Sequence, residues 1–168
     1  IAADVKELFA KYCSSDDLQW FLLRMIWQGE LTDALPEAKS VAVNRKAGRY
    51  ARIAAFRALR AIGAETDKLE VREHFLNEAT ALNREWLAEL LEDLPPTKQS
   101  VEWLLACIAK LKSKDRNSVD SLPQALDIFV QSLSLDLQAE FLEGMNTLIS
   151  KRPVVERRYC EISKRHGW

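Results

Sequence analysis

Apolar positions recur at helical spacing along almost the whole chain. Steps of three and four residues separate them, and short polar links divide the segments, which is the pattern of amphipathic helices. Glycine and proline are few, at five each, and runs of Val or Thr are scarce, so strands are not expected. We therefore predict an all-α fold of about nine or ten helices. Their predicted ranges are residues 2–12, 18–28, 32–43, 49–63, 69–81, 84–93, 97–111, 121–133, 135–149 and 154–164.

The segment at residues 49–63 has the strongest helical pattern. Alanine is the best helix former, and Arg and Leu follow it. A step of 100° per residue separates an alanine-rich side from a basic side, and Gly63 stands where a left-handed C-terminal cap is expected. Small side chains let a neighbouring helix approach closely. The alanine-rich side carries Ala47, Ala51, Ala54, Ala55, Ala58 and Ile62, and the basic side carries Arg45, Lys46, Arg49, Arg52, Arg57 and Arg60.

The run Ala51-Arg-Ile-Ala-Ala-Phe-Arg-Ala-Leu-Arg-Ala-Ile-Gly63 resembles the second helix of a HEAT-type repeat. Arg52 matches the arginine of the repeat, whereas Gly48 stands where the repeat usually has an Asp. The resemblance implies an α-solenoid of stacked antiparallel helix pairs, with the chain forming a single HEAT-like domain. An ordinary helical bundle is the alternative.

A second resemblance covers roughly residues 18–111. The stretches Leu22-Leu-Arg-Met-Ile-Trp, Tyr50-Ala-Arg-Ile-Ala-Ala and Trp86-Leu-Ala-Glu-Leu-Leu are similar to the helical arm of large bacterial NACHT/STAND-type NTPases. In that family a nucleotide-binding core carries a helical-repeat sensor. This chain contains no Walker A loop, so the resemblance implies the sensor arm. The absence of a starting Met leads us to expect a fragment of a larger protein.

Composition narrows the class of protein. Apolar content of 48% with 29% charged residues is typical of a globular chain, and no run of 18 apolar residues predicts a membrane span. Cys13, Cys107 and Cys160 are odd in number and widely spaced, which favours reduced, buried thiols over a metal or redox site. These features predict a cytoplasmic protein that does not associate with membranes.

Candidate catalytic chemistry is sparse. Glu73-His74 lacks the spacing of a zinc-binding His-Glu-x-x-His motif, and a lone histidine on a helix is usually a surface side chain. Carboxylate pairs such as Glu85/Glu89 are too frequent to single out an acid–base pair. We predict no enzymatic activity for this chain, and no catalytic, cofactor-binding or metal-binding residues.

Charge is arranged in blocks although the net charge is only −1. Residues 45–60 carry six bases and no acid, and residues 65–93 carry nine acids against three bases. Two interpretations stay open for the basic residues. They form ion pairs with the neighbouring acidic helices, or they bind an anionic partner through the planar guanidinium.

The leading functional hypothesis is a non-catalytic module that binds a protein partner. The alternative is a nucleic-acid-binding helical repeat that uses the basic residues at 45–60. The near-neutral charge speaks against that alternative, because duplex-binding domains are usually basic.

Overall fold

The computed structural model describes residues 2–12, 15–112 and 121–150, together with the backbone of two short strands at 155–156 and 159–160. Nine α-helices lie in this described part, so the prediction of an all-helical chain is confirmed there apart from the strand pair. Backbone contacts divide the chain into two compact units, Ile1–Asn77 and Glu78–Trp168. The prediction of a single domain stays a prediction.

The first unit is arranged around its fourth helix. Helices α2 and α3 both pack against α4, while α5 contacts α3 and α4, and α1 contacts α2 and the 3₁₀ helix. In chain order the elements are α1 (Ala2–Lys11), α2 (Asp16–Gln28), a 3₁₀ helix (Thr32–Ala34), α3 (Leu35–Val43), α4 (Arg49–Ile62) and α5 (Glu65–Leu76).

The alanine side of α4 is buried, as its sequence predicts. Ala55 and Ala58 are fully inaccessible to solvent, and Phe56 and Leu59 beside them are equally buried. Because α2, α3 and α5 surround the helix, its buried surface is wider than the alanine stripe. Small side chains at the contact allow helices to approach closely, and larger apolar side chains fill the remaining space. The buried alanines are Ala51, Ala54, Ala55 and Ala58.

The junction between α4 and α5 differs from the prediction. Gly63 has φ −88° and ψ 162°, an extended conformation, so the predicted left-handed cap is wrong. Its N–H donates to the Leu59 carbonyl at 2.8 Å, and a Cβ at Gly63 would lie 2.6 Å from that oxygen. Helix α5 then begins at Glu65, earlier than the predicted residue 69, because the Asp67 carboxylate accepts from the Ala64 N–H at 3.1 Å.

Lys39 of α3 joins α3 to α5 through two carboxylates. Its Nζ lies 2.6 Å from Glu70 Oε2 and 2.9 Å from Asp67 Oδ1. Hydrogen bonds to Glu70 and Asp67 raise the pKa of Lys39, and the bond from Lys39 lowers the pKa of Asp67. Lys39 and Asp67 therefore each favour the ionised form of the other.

The second unit pairs α6 with α8 and α7 with α9. Trp86, Leu90, Leu104 and Leu122 are among its fully buried side chains. The apolar period continues across Leu82 and would allow one longer helix, but Leu82 lies in an isolated parallel bridge with Leu111, so that helix does not form. The elements are α6 (Arg84–Leu91), α7 (Lys98–Ala109), α8 (Leu122–Ser132), α9 (Leu135–Ser150), β1 (Val155–Glu156) and β2 (Tyr159–Cys160).

The sequence predicts that Asn83 caps α6 and that Ser121 and Gln124, three residues apart, form a capping box at the start of α8. The structure agrees with these predictions only in part. Asn83 Oδ1 accepts from the Trp86 N–H at 3.0 Å, which confirms the predicted cap of α6. Ser121 has helical backbone angles and makes no capping bond, so the predicted capping box of α8 is wrong.

The last predicted helix, at residues 154–164, is also wrong where the structure describes it. Val155 pairs with Cys160 and Glu156 with Tyr159 in an antiparallel ladder. Val and Tyr favour strands, and this local preference is stronger than the helical signal of a proline at its start. Residues 154, 157–158 and 161–164 of the prediction lie outside the described residues.

Enlarging a buried alanine of α4 should destabilise the protein. Ala55→Leu adds volume where no space exists, and we expect a cost of about 1–3 kcal/mol in the free energy of unfolding. Ala61→Leu on the exposed side of the same helix is the matched control and should change stability little. Urea unfolding measures both variants. Equal effects would show that Ala55 does not lie at a close helix contact.

The Lys39–Asp67 pair should make part of the stability depend on pH. The folded pKa of Asp67 is below the ordinary value of 3.8, so its contribution is present above that pH and is lost as pH falls through the folded pKa. Asp67→Asn should therefore lower the urea midpoint at about pH 6 and lower it less at about pH 2.5. A midpoint difference that is the same at both pH values would contradict this role.

Candidate functional site

The six basic residues predicted to bind a partner do not form one uniform surface. The three nearest the start of α4 are exposed, and the three further along it are partly buried. The exposed residues are Arg45, Lys46 and Arg49, and the partly buried residues are Arg52, Arg57 and Arg60.

Several of these side chains already contact other parts of the first unit. Arg52 Nε donates to the Ala42 carbonyl of α3 at 3.1 Å, and Arg45 donates to the Asn77 carbonyl after α5 at 3.0 Å. The Arg57 guanidinium lies 5.7 Å from the centre of the Trp27 ring on α2. These contacts hold the helices of the unit together. Binding of a protein or of nucleic acid through the six residues stays a prediction.

A cleft lies where the N-terminal ends of α2 and α4 meet. Its volume is about 640 Å³, within the range of roughly 300–1,000 Å³ that is usual for ligand pockets. Two carboxylates, one guanidinium and two aromatic rings line it. We call it the N-terminal cleft, formed by Asp16, Asp17, Trp20, Gly48, Arg49, Tyr50 and Ala51.

One face of α2 next to this cleft is exposed. Its residues are spaced three and four positions apart, as on one side of a helix. We call this stripe the α2 outer face, formed by Asp17, Trp20, Phe21 and Arg24. Trp20 is 38% exposed and Phe21 is 56% exposed. The apolar run of residues 18–28 predicts a helix covered on both faces, and this prediction is wrong. Helices α1 and α4 contact α2, and its buried apolar side chains are Leu22, Leu23 and Ile26.

Asp16 fixes the geometry of the cleft. Its Oδ1 accepts from the Gly48 N–H at 3.1 Å, so a carboxylate from α2 satisfies a donor just before α4. The first N–H groups of a helix lack partners within the helix, and negative charge near them is favourable. A Cβ at Gly48 would lie 2.6 Å from Asp16 Oδ2. A side chain at residue 48 would therefore push the Asp16 carboxylate away from this hydrogen bond.

Guanidinium groups stack on both aromatic rings of the cleft. Arg24 lies 4.8 Å from the centre of the Trp20 ring, and Arg49 lies 4.6 Å from that of Tyr50. Arg49 also donates to the Tyr50 hydroxyl at 2.7 Å. Such stacking orients the rings while it leaves 63% of Tyr50 exposed. The cleft thus presents oriented aromatic surface beside carboxylates.

Potential metal ligands and thiols were compared within the part of the chain that the structure describes. No group of three or more His, Cys, Asp and Glu residues there could hold a metal ion. Cys107 is a buried free thiol, and burial raises its pKa, so it stays protonated and a poor nucleophile. Cys13 and the side chain of Cys160 lie outside the described residues. None of the described helices is both long and apolar enough to cross a bilayer.

The chain matches no protein-family model, and neither the curated proteins nor the solved structures contain a significant match. The resemblances to HEAT repeats and to the arm of NACHT/STAND-type NTPases therefore stay predictions.

Of the residues that line the N-terminal cleft, Arg49 was among the predicted site residues and the others were not. In the sequence, Asp16 and Asp17 look like ordinary residues at a helix start, and Trp20 looks like part of a buried run. The available signal was the spacing of Asp17, Trp20, Phe21 and Arg24, which places two charges in line with two aromatic rings. The contribution of Tyr50 depends on the packing of α2 against α4, which no local pattern shows.

The bond between Asp16 and Gly48 should contribute measurably to stability. Asp16→Ala removes a partner of the α4 N-terminus and should cost about 1 kcal/mol more than Asp17→Ala. The second variant is a matched control, because both residues lie in the first turn of α2 and both changes remove one charge. Urea unfolding of the two variants tests this. Equal losses would show that the bond does not stabilise the fold.

Proposed function

We propose that this chain is a non-catalytic protein-binding module that engages its partner through the α2 outer face and the N-terminal cleft. The observation that carries the proposal is the exposed apolar face of α2, where Leu18, Trp20 and Phe21 remain accessible. A contiguous exposed apolar surface rimmed by charges is typical of interaction sites. Tyr50, at the start of α4, is also exposed and lines the N-terminal cleft together with Trp20.

The composition of this surface supports a protein partner. Aromatic residues and arginine are enriched at protein interfaces, and they supply most of the residues that dominate binding energy. The proposed surface contains both kinds of residue: the aromatic residues Trp20, Phe21 and Tyr50, and the arginines Arg24 and Arg49, which stack on Trp20 and Tyr50. The stacked guanidinium groups restrict the motion of the rings before binding. Less conformational entropy is then lost when the partner docks.

The proposal extends to the architecture. We place the chain in a HEAT-like arrangement of stacked helix pairs, in which it serves as the ligand-sensing arm of a larger bacterial NTPase. Support comes from the buried alanines of α4, since close helix packing on several sides is what stacked pairs need. In such an arm, binding of a partner is the sensing event.

Site-specific photo-crosslinking tests this function. A photoreactive phenylalanine analogue at position 21, on the α2 outer face, should capture a discrete protein from an extract of the source cells. The same analogue at position 69 is the matched control, because Leu69 is also exposed but lies on α5. We expect capture at position 21 only. No capture at position 21, or the same proteins at both positions, would contradict the proposal.

The captured protein is then identified, purified and measured against the chain in solution. Phe21→Ser should weaken binding by about tenfold or more, as expected for an aromatic residue at the centre of an interface. Leu69→Ser should leave the affinity unchanged. An affinity that neither variant alters would show that crosslinking recorded proximity without a specific complex.

A further inference from the structure

We propose that the outer side of α9 binds a basic amphipathic helix of another protein, as one helix of a coiled coil binds the next. The proposal concerns the second unit, whereas the function proposed above depends on α2, so neither rests on the other. The outer side of α9 carries a stripe of mostly apolar residues at helical spacing. We call this stripe the α9 seam, formed by Leu135, Ala139, Leu142, Asn146 and Ile149.

The α9 seam lies beside the packed side of its helix and is largely open to solvent. Phe141 is buried, and a Cβ at Gly144 would meet the Leu105 side chain of α7, so these two residues mark the side on which α9 packs. On the seam, Leu142 is 63% exposed and Leu135 is 82% exposed. Single exposed leucines are common, whereas two on one side of a helix at a spacing of two turns form a stripe that a second helix can cover.

The spacing along the seam fits the packing of a second helix. Leu135, Leu142 and Ile149 follow one another at intervals of seven residues. Ala139 and Asn146 lie four residues after the two leucines, which completes the alternation of four and three residues in a heptad repeat. In that register the leucines take d positions and Asn146 takes an a position, where a polar residue specifies the alignment of the two helices.

Charge selects the class of partner. Residues 121–150, which span α8 and α9, contain four acids and no base. Two copies of this chain that paired through their α9 seams would bring like charges together, and the phosphates of a nucleic acid or of an anionic membrane would be repelled in the same way. A basic protein segment is attracted instead, so the charge complementarity commits the seam to that occupant.

Two of these acids flank the seam at the positions that set partner choice in coiled coils. With the leucines of the seam at d, Asp136 and Glu143 take e positions, which form ion pairs with the neighbouring helix. Both residues are exposed, and no ion pair engages either carboxylate within the described part of the chain. Glu140 differs, because its carboxylate already pairs with Lys98 of α7 at 2.9 Å. The partner helix should therefore carry Lys or Arg beside its own apolar stripe.

The test uses the full chain and three fluorescein-labelled peptides of three heptads each. The basic peptide has leucine at d, isoleucine at a apart from one asparagine, and lysine at e and g. The acidic peptide has glutamate in place of each lysine, and the third peptide has the composition of the basic one in scrambled order. Like charges at e and g keep the basic and acidic peptides from pairing with themselves. We expect a saturable rise in anisotropy with the basic peptide alone, with an affinity that falls as salt is added.

Variants locate the contact on α9. Leu142→Ser should weaken binding of the basic peptide by about tenfold or more, because a leucine that docking would bury is lost. Leu69→Ser is the matched control, since it changes an exposed leucine of α5, and it should leave the affinity unchanged. Glu143→Gln should weaken binding by about two- to threefold at low salt, as expected for one exposed ion pair, and Glu7→Gln on α1 should not. Circular dichroism checks that every variant keeps its fold.

Four results would overturn the proposal: no saturable binding of the basic peptide, equal binding of the acidic or the scrambled peptide, an affinity that Leu142→Ser and Leu69→Ser lower equally, or a dimer of the chain that Leu142→Ser dissociates. The last result would assign the seam to a second copy. Each of these results leaves capture of a partner at position 21 untouched. Failure of that capture would likewise leave the peptide titrations on α9 standing.

Discussion

The close packing of α4 against α2 and α3 is the contact on which the first unit depends. Four buried alanines give α4 a surface without bulky side chains, so its neighbours can approach it on more than one side. Alanine itself buries little apolar area, and larger buried side chains such as Phe56 and Leu59 contribute more of the hydrophobic stabilisation. The alanines thus set the distance between the packed helices, and the larger residues contribute most of the hydrophobic stabilisation.

This packing also decides what the basic residues of α4 can do. Arg52 reaches the Ala42 carbonyl on α3, and Arg57 reaches the Trp27 ring on α2. Arginine side chains bury their apolar stems along neighbouring helices while the charged end finds a polar or aromatic contact. Half of the predicted basic face is therefore partly buried between helices. The exposed surface of the unit with the strongest apolar character lies on α2 instead.

The N-terminal cleft shows how two adjacent residues of one type acquire different roles. Asp16 and Asp17 are identical in chemistry and lie in the same helical turn. The 100° step between them points one carboxylate toward Gly48 and leaves the other exposed beside the aromatic rings. One therefore contributes to the junction of two helices, and the other is an exposed residue of the cleft.

The sequence by itself determined the helical class, most helix positions, the buried alanine side of α4 and the cap at Asn83, because helical periodicity and capping are local properties. Only the tertiary structure decided that Gly63 is extended, that α5 begins at Glu65 and that one face of α2 stays exposed. Whether an apolar side chain is covered depends on which helices surround it, and that is set by contacts between residues far apart in the chain. The N-terminal cleft also depends on the tertiary structure, since Asp17 and Tyr50 come together only through the packing of α2 on α4.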